Sequence, residues 1–175
     1  MQLAITVLGN DKSNNFIGEI LSALNACQCS VVELRTSNLT QITAAYFLIA
    51  GNWNHIAKLE GMLEALKARF EIQLNFLRPT QSAPALEGVP YTLETISMDK
   101  SDVLFAVTSF LMERGICIDE VTASRHPAPF FNTPVFSTKF VLLVPPQVRI
   151  LSLREEFLDF CDGLNIDAIL EPIKR

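Results

Sequence analysis

An α+β protein of two tandem βαββαβ halves, each an antiparallel sheet with its helices on one face, is predicted by three observations. First, the order strand, helix, strand, strand, helix, strand can be read twice along the 175 residues. Second, the two readings keep register: Asp11-Lys12-Ser13 returns as Asp99-Lys100-Ser101, 88 positions on, and Val31 answers Ile118 at 87, so the first turn carries one extra residue. Third, the remaining mismatch has a single location. Phe47-Leu48-Ile49 answers Val141-Leu142-Leu143 at 94, and the seven added residues fall in HPAPFFNTP, 126–134. Hairpin loops tolerate such insertions because closure entropy grows slowly with length.

Each element has its own warrant. LAITVLG is a strand, and residues 15–27 form a helix whose stripe is Phe16, Ile17, Ile20, Leu21 and Leu24, the 3.6-residue period of an amphipathic helix. SVVELRTS and TAAYFLIAG are rich in the β-branched and aromatic residues that strands favour. A second helix over 53–69 buries Ile56, Leu59, Met62, Leu63 and Leu66, and EIQLNFLR alternates Ile72, Leu74 and Phe76. In the second half PYTLETIS is a strand, residues 101–114 a helix facing inward with Val103, Leu104, Val107, Phe110 and Leu111, and ICIDEVTAS a strand. VFSTKFVLLV then places Phe136, Thr138, Phe140, Leu142 and Val144 on one face; a helix over 148–163 presents Ile150, Leu153, Phe157 and Phe160, and NIDAILEPI closes the half.

The proline-bearing stretch RPTQSAPALEGVP has little periodicity and marks a linker, as such composition does. The expected domains are 1–78 and 91–175, joined by a linker over 79–90. Split β-α-β halves of this kind are ferredoxin-like, with a four-stranded sheet and two helices on one face. Domains of about 85 residues bury only some 60–65% of their unfolded surface, so halves, and chains, gain by pairing. A homo-oligomer is expected.

Composition excludes several classes. No apolar run approaches the roughly 18 residues of a membrane span, and MQLAITVLGND has neither basic n-region nor cleavage site; a cytoplasmic protein is expected. The formal charge is −5 with no cluster of lysines or arginines, whereas direct nucleic-acid binding relies on a basic footprint. Cys27, Cys29, Cys117 and Cys161 lack the spacing of a zinc ribbon or a redox Cys-x-x-Cys pair, and are expected as small apolar residues in a reduced compartment, with no metal. His55, expected on the surface, and His126, opening the long hairpin, have no serine or cysteine at triad spacing; Asp119-Glu120 and Glu155-Glu156 read as solvated pairs. No phosphate-binding glycine loop occurs. No enzyme and no cofactor are expected.

What remains is the repeated turn. A strand running into a helix leaves the first helical N–H groups facing the loop, where carboxylates and other anions are favoured. Asn14 or Asn15 can cap the first helix and Asp99 or Ser101 the third; capping alone is the plain structural explanation of these residues.

A βαββαβ half with a Gly-x-Asp turn after its first strand resembles the ACT domain. With CQCSVVELR at 27–35 and GNWNHI at 51–56, the chain is similar over nearly its whole length to the glycine cleavage system transcriptional repressor family. The resemblance implies a regulatory protein that binds a small amino acid, glycine being the expected signal, at the turn of one domain against a partner's strand. It also implies repression through protein contact with a transcriptional activator of LysR type. The ligand-binding candidates it marks are Asn10, Asp11, Asn14, Asn15, Phe16 and Ile17 in the first turn, and Met98, Asp99, Ser101, Asp102 and Val103 in the second.

The turns depart from the family pattern. Asn14-Asn15 stands where the family has Pro-Gly, Ser97 replaces the first glycine of the second turn, and Ser101-Asp102 replaces its Pro-Gly. Asparagine tolerates left-handed geometry, but the charge of Asp102 would repel an amino-acid carboxylate. Two alternatives follow: a sensing or dimerisation module acting on an enzyme, and a structural adaptor that has lost its ligand. Phe130 and Phe131, at the tip of the inserted hairpin, either fold back on their own sheet or dock on a partner protein, since exposed apolar clusters mark such sites.

Overall fold

A computed structural model describes residues 1–10, 15–79, 87–98, 102–127 and 133–173. The chain divides into two compact units, Met1–Ala83 and Pro84–Arg175. The first contains β1 (Gln2–Asn10), α1 (Phe16–Ala26), β2 (Ser30–Leu39), β3 (Ile42–Ala50), α2 (Trp53–Phe70) and β4 (Gln73–Leu77). The second contains β5 (Val89–Met98), α3 (Val103–Glu113), β6 (Cys117–His126), β7 (Val135–Val144), α4 (Ile150–Leu164) and β8 (Ile166–Pro172). Each is βαββαβ. The sheets run β2-β3-β1-β4 and β6-β7-β5-β8, with every neighbouring pair antiparallel. Val89 and Pro90, expected in the linker, belong to β5.

The alternation of side chains along the strands fixes which sheet face meets the helices. Leu3, Ile5 and Val7 of β1 and Phe47 and Ile49 of β3 are buried against Phe16, Ile20 and Leu24 of α1 and Ile56, Leu59 and Leu63 of α2. In the second unit Leu93, Phe140 and Leu142 meet Val107, Phe110, Leu111, Leu153 and Phe157. Phe110 packs edge-on against Phe157, at 5.2 Å between ring centroids, and tilts on Phe160 at 4.7 Å.

Two expected core residues are displaced. Leu21 is exposed because Ala23 and Cys27 continue the buried stripe of α1 in its place. Met62 lies on the flank of the Ile56–Leu59–Leu63 stripe and is partly open to solvent. Leu66, Leu104 and Ile150 sit at the core margin.

Details of the backbone repeat as well as the elements. Both edge strands β2 and β6 carry a bulge, at Val31/Glu33 and Ile118/Glu120, where the hairpin partner loses register. The left-handed positions also correspond: Gln28 (φ +54°) to Gly115 (φ +68°) after the first helix of each unit, and Glu71 (φ +53°) to Asn165 (φ +54°) after the second.

Candidate functional site

The first turn joins β1 to α1. Asn10 ends β1 in an exposed position opposite Ile42. Asn15 is the N-cap: its side-chain oxygen accepts the Gly18 N–H at 3.3 Å, and its carbonyl accepts the Glu19 N–H at 3.1 Å. Of the two candidate caps, Asn15 fills the role; Asp11 and Asn14 lie outside the described residues. Phe16, the first helical residue, is buried at 1% exposure, and Ile17 packs against the core margin.

Gly9 explains how Phe16 fits. A Cβ at Gly9 would lie 2.6 Å from Cγ2 of Ile72 and 2.8 Å from Cε1 of Phe16. Both are core atoms, so the glycine is needed for close packing. Gly9, Phe16 and Ile72 thus pack together beside a capped helix start.

The second turn uses the same frame with other residues. Ser97 takes the place of Gly9 and is 5% exposed; its hydroxyl has no hydrogen-bond partner among the described residues. Val103 begins α3 where Phe16 begins α1, and Ile166, opposite Ser97 across the ladder, corresponds to Ile72. Asp102 occupies the N-cap without any side-chain cap bond, its carbonyl accepting the Ala106 N–H at 2.9 Å. Its carboxylate at the start of a helix has a favourable sign for the helix dipole. Met98 ends β5 with its side chain exposed. Asp99 and Ser101, expected as caps, lie outside the described residues, as do Phe130 and Phe131.

The GNWNHI block is a helix start too. Asn52 caps α2 through the His55 N–H at 2.8 Å, and Trp53 follows with 68% of its surface exposed. His55, expected on the surface, is half-buried. In the other block, Arg35 pairs with Glu33 at 3.0 Å on the open face of β2.

The open face of the second sheet holds a shallow depression of about 420 Å³, lined by Glu94, Ile96, Thr122, Ser137, Lys139 and Asp167 among others. Lys139 Nζ donates to Glu94 at 2.7 Å, and this bond, with the charge of Glu94, raises the ammonium pKa. Beside it Ser124 Oγ lies 2.7 Å from His126 Nε2, and Ser137 Oγ 3.2 Å from the same nitrogen. Sequence spacing did not reveal this cluster. The signal is the strand period, which puts 124 and 126 on one face, together with the register that sets Ser137 opposite Ser124. All three are exposed or at the rim, where they act as a surface hydrogen-bond group.

Glu156 is solvated as expected and also pairs with Arg114 at 3.0 Å; the Arg114 guanidinium lies 3.5 Å over the Phe110 ring and donates to the Phe110 carbonyl at 3.0 Å. The cation thus ties α3 to α4. Burial pushes the Cys161 thiol up to about 11, so it stays protonated as a core residue. Among the described residues no three His, Cys, Asp or Glu side chains cluster to hold a metal, and no helix is long and apolar enough to cross a membrane.

Together these features define a tandem fold of two ferredoxin-like βαββαβ units. The sequence profile of the ACT domain matches residues 1–77. Over the whole chain the fold is that of a candidate glycine cleavage system transcriptional repressor of known crystal structure, with a TM-score of 0.75, 20% identity, and coverage of 99% of this chain and 98% of that one. An unknown protein from Galdieria sulphuraria has the same fold at a TM-score of 0.77 and 19% identity, with coverage of 99% and 98%. At such identities the likeness is one of fold. No curated protein sequence matches the chain.

Proposed function

We propose that this chain is a non-enzymatic, cytoplasmic regulator that responds to a small amino acid and represses transcription of glycine cleavage genes by contacting an activator of LysR type. The observation that carries the reading is fold likeness across both units at once, 99% of the chain, to a candidate repressor of that system. The acidic charge of −5 supports action without direct contact to DNA. Glycine is the signal we assign, and the first turn its main contact, through Asn10, Asp11, Asn14 and Asn15 with Phe16 and Ile17 behind them. The second turn, Met98, Asp99, Ser101, Asp102 and Val103, is the weaker element. Phe130 and Phe131 are assigned to the activator contact, and the working form to a homo-oligomer.

A second reading, a ligand-free adaptor, is favoured by one observation at the second turn. A carboxylate, Asp102, stands at the helix N-terminus where an amino-acid carboxylate would have to sit, and like charges at that range repel.

Thermal unfolding of the full chain against the twenty amino acids separates the two. A ligand at 100 times its dissociation constant stabilises by about 2.7 kcal/mol, a shift of several degrees. The expected result is a selective shift with glycine that Asn14→Ala with Asn15→Ala removes. The absence of a shift with any amino acid would leave the adaptor. Independently, Phe130→Ser with Phe131→Ser is expected to keep the fold and lose co-purification of the activator; recovery of a biosynthetic enzyme from the native host instead of an activator would overturn the assignment of partner.

A further inference from the structure

A groove runs along the outer edge of the second sheet. β8 is a terminal strand, with β5 on one side and, among the described residues, no strand on the other. Ile173 donates its N–H to the Pro90 carbonyl at 3.0 Å, one step beyond the Tyr91–Pro172 pair. Antiparallel ladders alternate, so Ile169 and Glu171 turn their backbone groups to β5, and Ala168 and Leu170 turn theirs outward. The groove, of about 360 Å³, lies between this edge and α4. It is lined by Arg154, Phe157 and Leu158 of the helix and by Ala168, Leu170 and Glu171 of the strand, among others.

Arg154 marks what the groove takes. One guanidinium nitrogen, Nη2, donates to the outward Leu170 carbonyl at 3.2 Å, which holds the cation against the strand edge. Its Nε is buried with no hydrogen-bond partner among the described residues, and a buried donor left unpaired is costly. The first unit shows the equivalent place filled. Glu60 of α2 precedes Arg154 by 94 residues, the interval that also separates the left-handed Glu71 and Asn165, and it accepts from Arg78 just past β4. In the second unit the helix charge is reversed and Pro172 stands in the place of Arg78. Glu171 lines the groove, but among the described residues it makes no ion pair with Arg154. The guanidinium lacks the carboxylate that its counterpart in the first unit supplies.

We propose that this groove binds an extended segment of a partner protein, which adds to β8 as a fifth strand and sets an aspartate or glutamate side chain on Arg154. Strand addition draws affinity from main-chain hydrogen bonds and selectivity from alternate side chains. The outward N–H and C=O of Ala168 and the N–H of Leu170 supply the first. Arg154 supplies the second, through a charge-assisted pair, while Phe157 and the exposed Leu158 receive apolar residues two places from the acidic one. A second copy of β8 does not fit the role. Its side chains on the α4 face are Ile166, Ala168 and Leu170, and none is a carboxylate.

The test is nuclear magnetic resonance of the full chain, titrated with a heptapeptide capped at both ends. Its central residue is glutamate, with threonine on either side and valine two places away, so that one face carries the acid and the apolar groups. The Ala168 and Leu170 amides are expected to shift and to gain protection from hydrogen exchange, while those of the other edge strands, β2, β4 and β6, stay unchanged. Glutamine for glutamate in the peptide, or Arg154→Gln in the protein, should weaken binding about tenfold. Ala168→Pro removes an outward N–H and no bond of the β5 ladder, a change that edge strands accept, and should abolish binding; circular dichroism checks that each variant is folded. The glutamine peptide tests the acid without any protein variant. No shift at β8 with millimolar peptide, equal shifts at the other edges, or equal binding of the glutamine peptide would each overturn the site. So would a change of sedimenting mass on Ala168→Pro without peptide, which would give the edge to a second copy of the chain.

Discussion

The two units build the same strand-to-helix junction in opposite ways. In the first, a large ring, Phe16, lies over a glycine, Gly9, whose missing Cβ leaves it room. In the second, a smaller Val103 begins the helix, and the place of the glycine is taken by Ser97, whose hydroxyl is buried without a partner among the described residues. Ile72 and Ile166 stand behind both. The helix start differs in the same sense, with a side-chain hydrogen bond from Asn15 in one unit and none from Asp102 in the other. The open sheet faces diverge too. The first carries Leu8, Leu39, Ile42, Tyr46 and Leu77 around the Arg35–Glu33 pair, while the second carries Ile96 and Ile169 with the Glu94–Lys139 pair, Asp167 and a row of hydroxyls. A duplicated fold thus holds one helix start with a side-chain cap and a glycine beside a large ring, and another with a smaller residue and a carboxylate in place of the neutral cap. The lesson is that the strand end and the helix start keep their places while the residues at both change.

The largest expected effect comes from making the first junction like the second. Gly9→Ser places a Cβ against Ile72 and Phe16 and buries a hydroxyl, and overpacking of this kind costs about 1–3 kcal/mol, with the unpaired hydroxyl adding to it. Phe16→Val, the second unit's choice, relieves the crowding. The double variant should therefore be more stable than the sum of the single ones predicts, by about 0.5–3 kcal/mol, the range of coupling between contacting residues. Urea unfolding with hydrogen exchange read separately in each unit checks this. Strict additivity would mean that the two positions are not one solution. The corresponding relief in the second unit is Ser97→Ala, expected to be neutral or stabilising.

A middle-sized effect belongs to the turn after the first helix. Gly115 and Gln28 hold equivalent left-handed positions, and a Cβ at Gly115 would meet no atom within 4 Å. Gly115→Gln should then cost only the backbone penalty, about 1–2 kcal/mol for a side chain in that region, and Gln28→Gly should return part of a similar amount. Unequal and opposite results, with Gly115→Gln harmless, would show that the second turn can relax out of its left-handed form.

Much of this was legible in advance because the signals are periodic or positional. The repeat order, the facing of Leu3, Ile5 and Val7, and the stripe of α2 follow from side-chain period alone. Leu21 and Met62 were misplaced because a stripe more than one residue wide leaves its flank undecided; Ala23 and Cys27, small residues easily passed over, took the inward places. Clusters made by pairing were not legible. Cys27 meets Met62 across 35 residues, and Ser124 meets Ser137 only once β6 and β7 are in register. The Arg114–Glu156 tie likewise depends on how α3 and α4 pack, which no local pattern states.

The smallest expected effect is also the most direct comparison of the turns. Asn15→Ala removes a side-chain acceptor from the Gly18 N–H, a loss worth about 1 kcal/mol at an N-cap. Asp102→Ala removes no such bond, and what remains is the attraction of an exposed carboxylate for the helix dipole, about 0.3–1 kcal/mol at low salt. The two should be told apart by salt. The Asn15 effect should hold from low to high ionic strength because it is a hydrogen bond between neutral groups, whereas the Asp102 effect should fade as the charge is screened within roughly 3 Å at 1 M. Equal, salt-insensitive losses would mean that Asp102 does cap α3 in solution, and the second turn would then be as well built as the first.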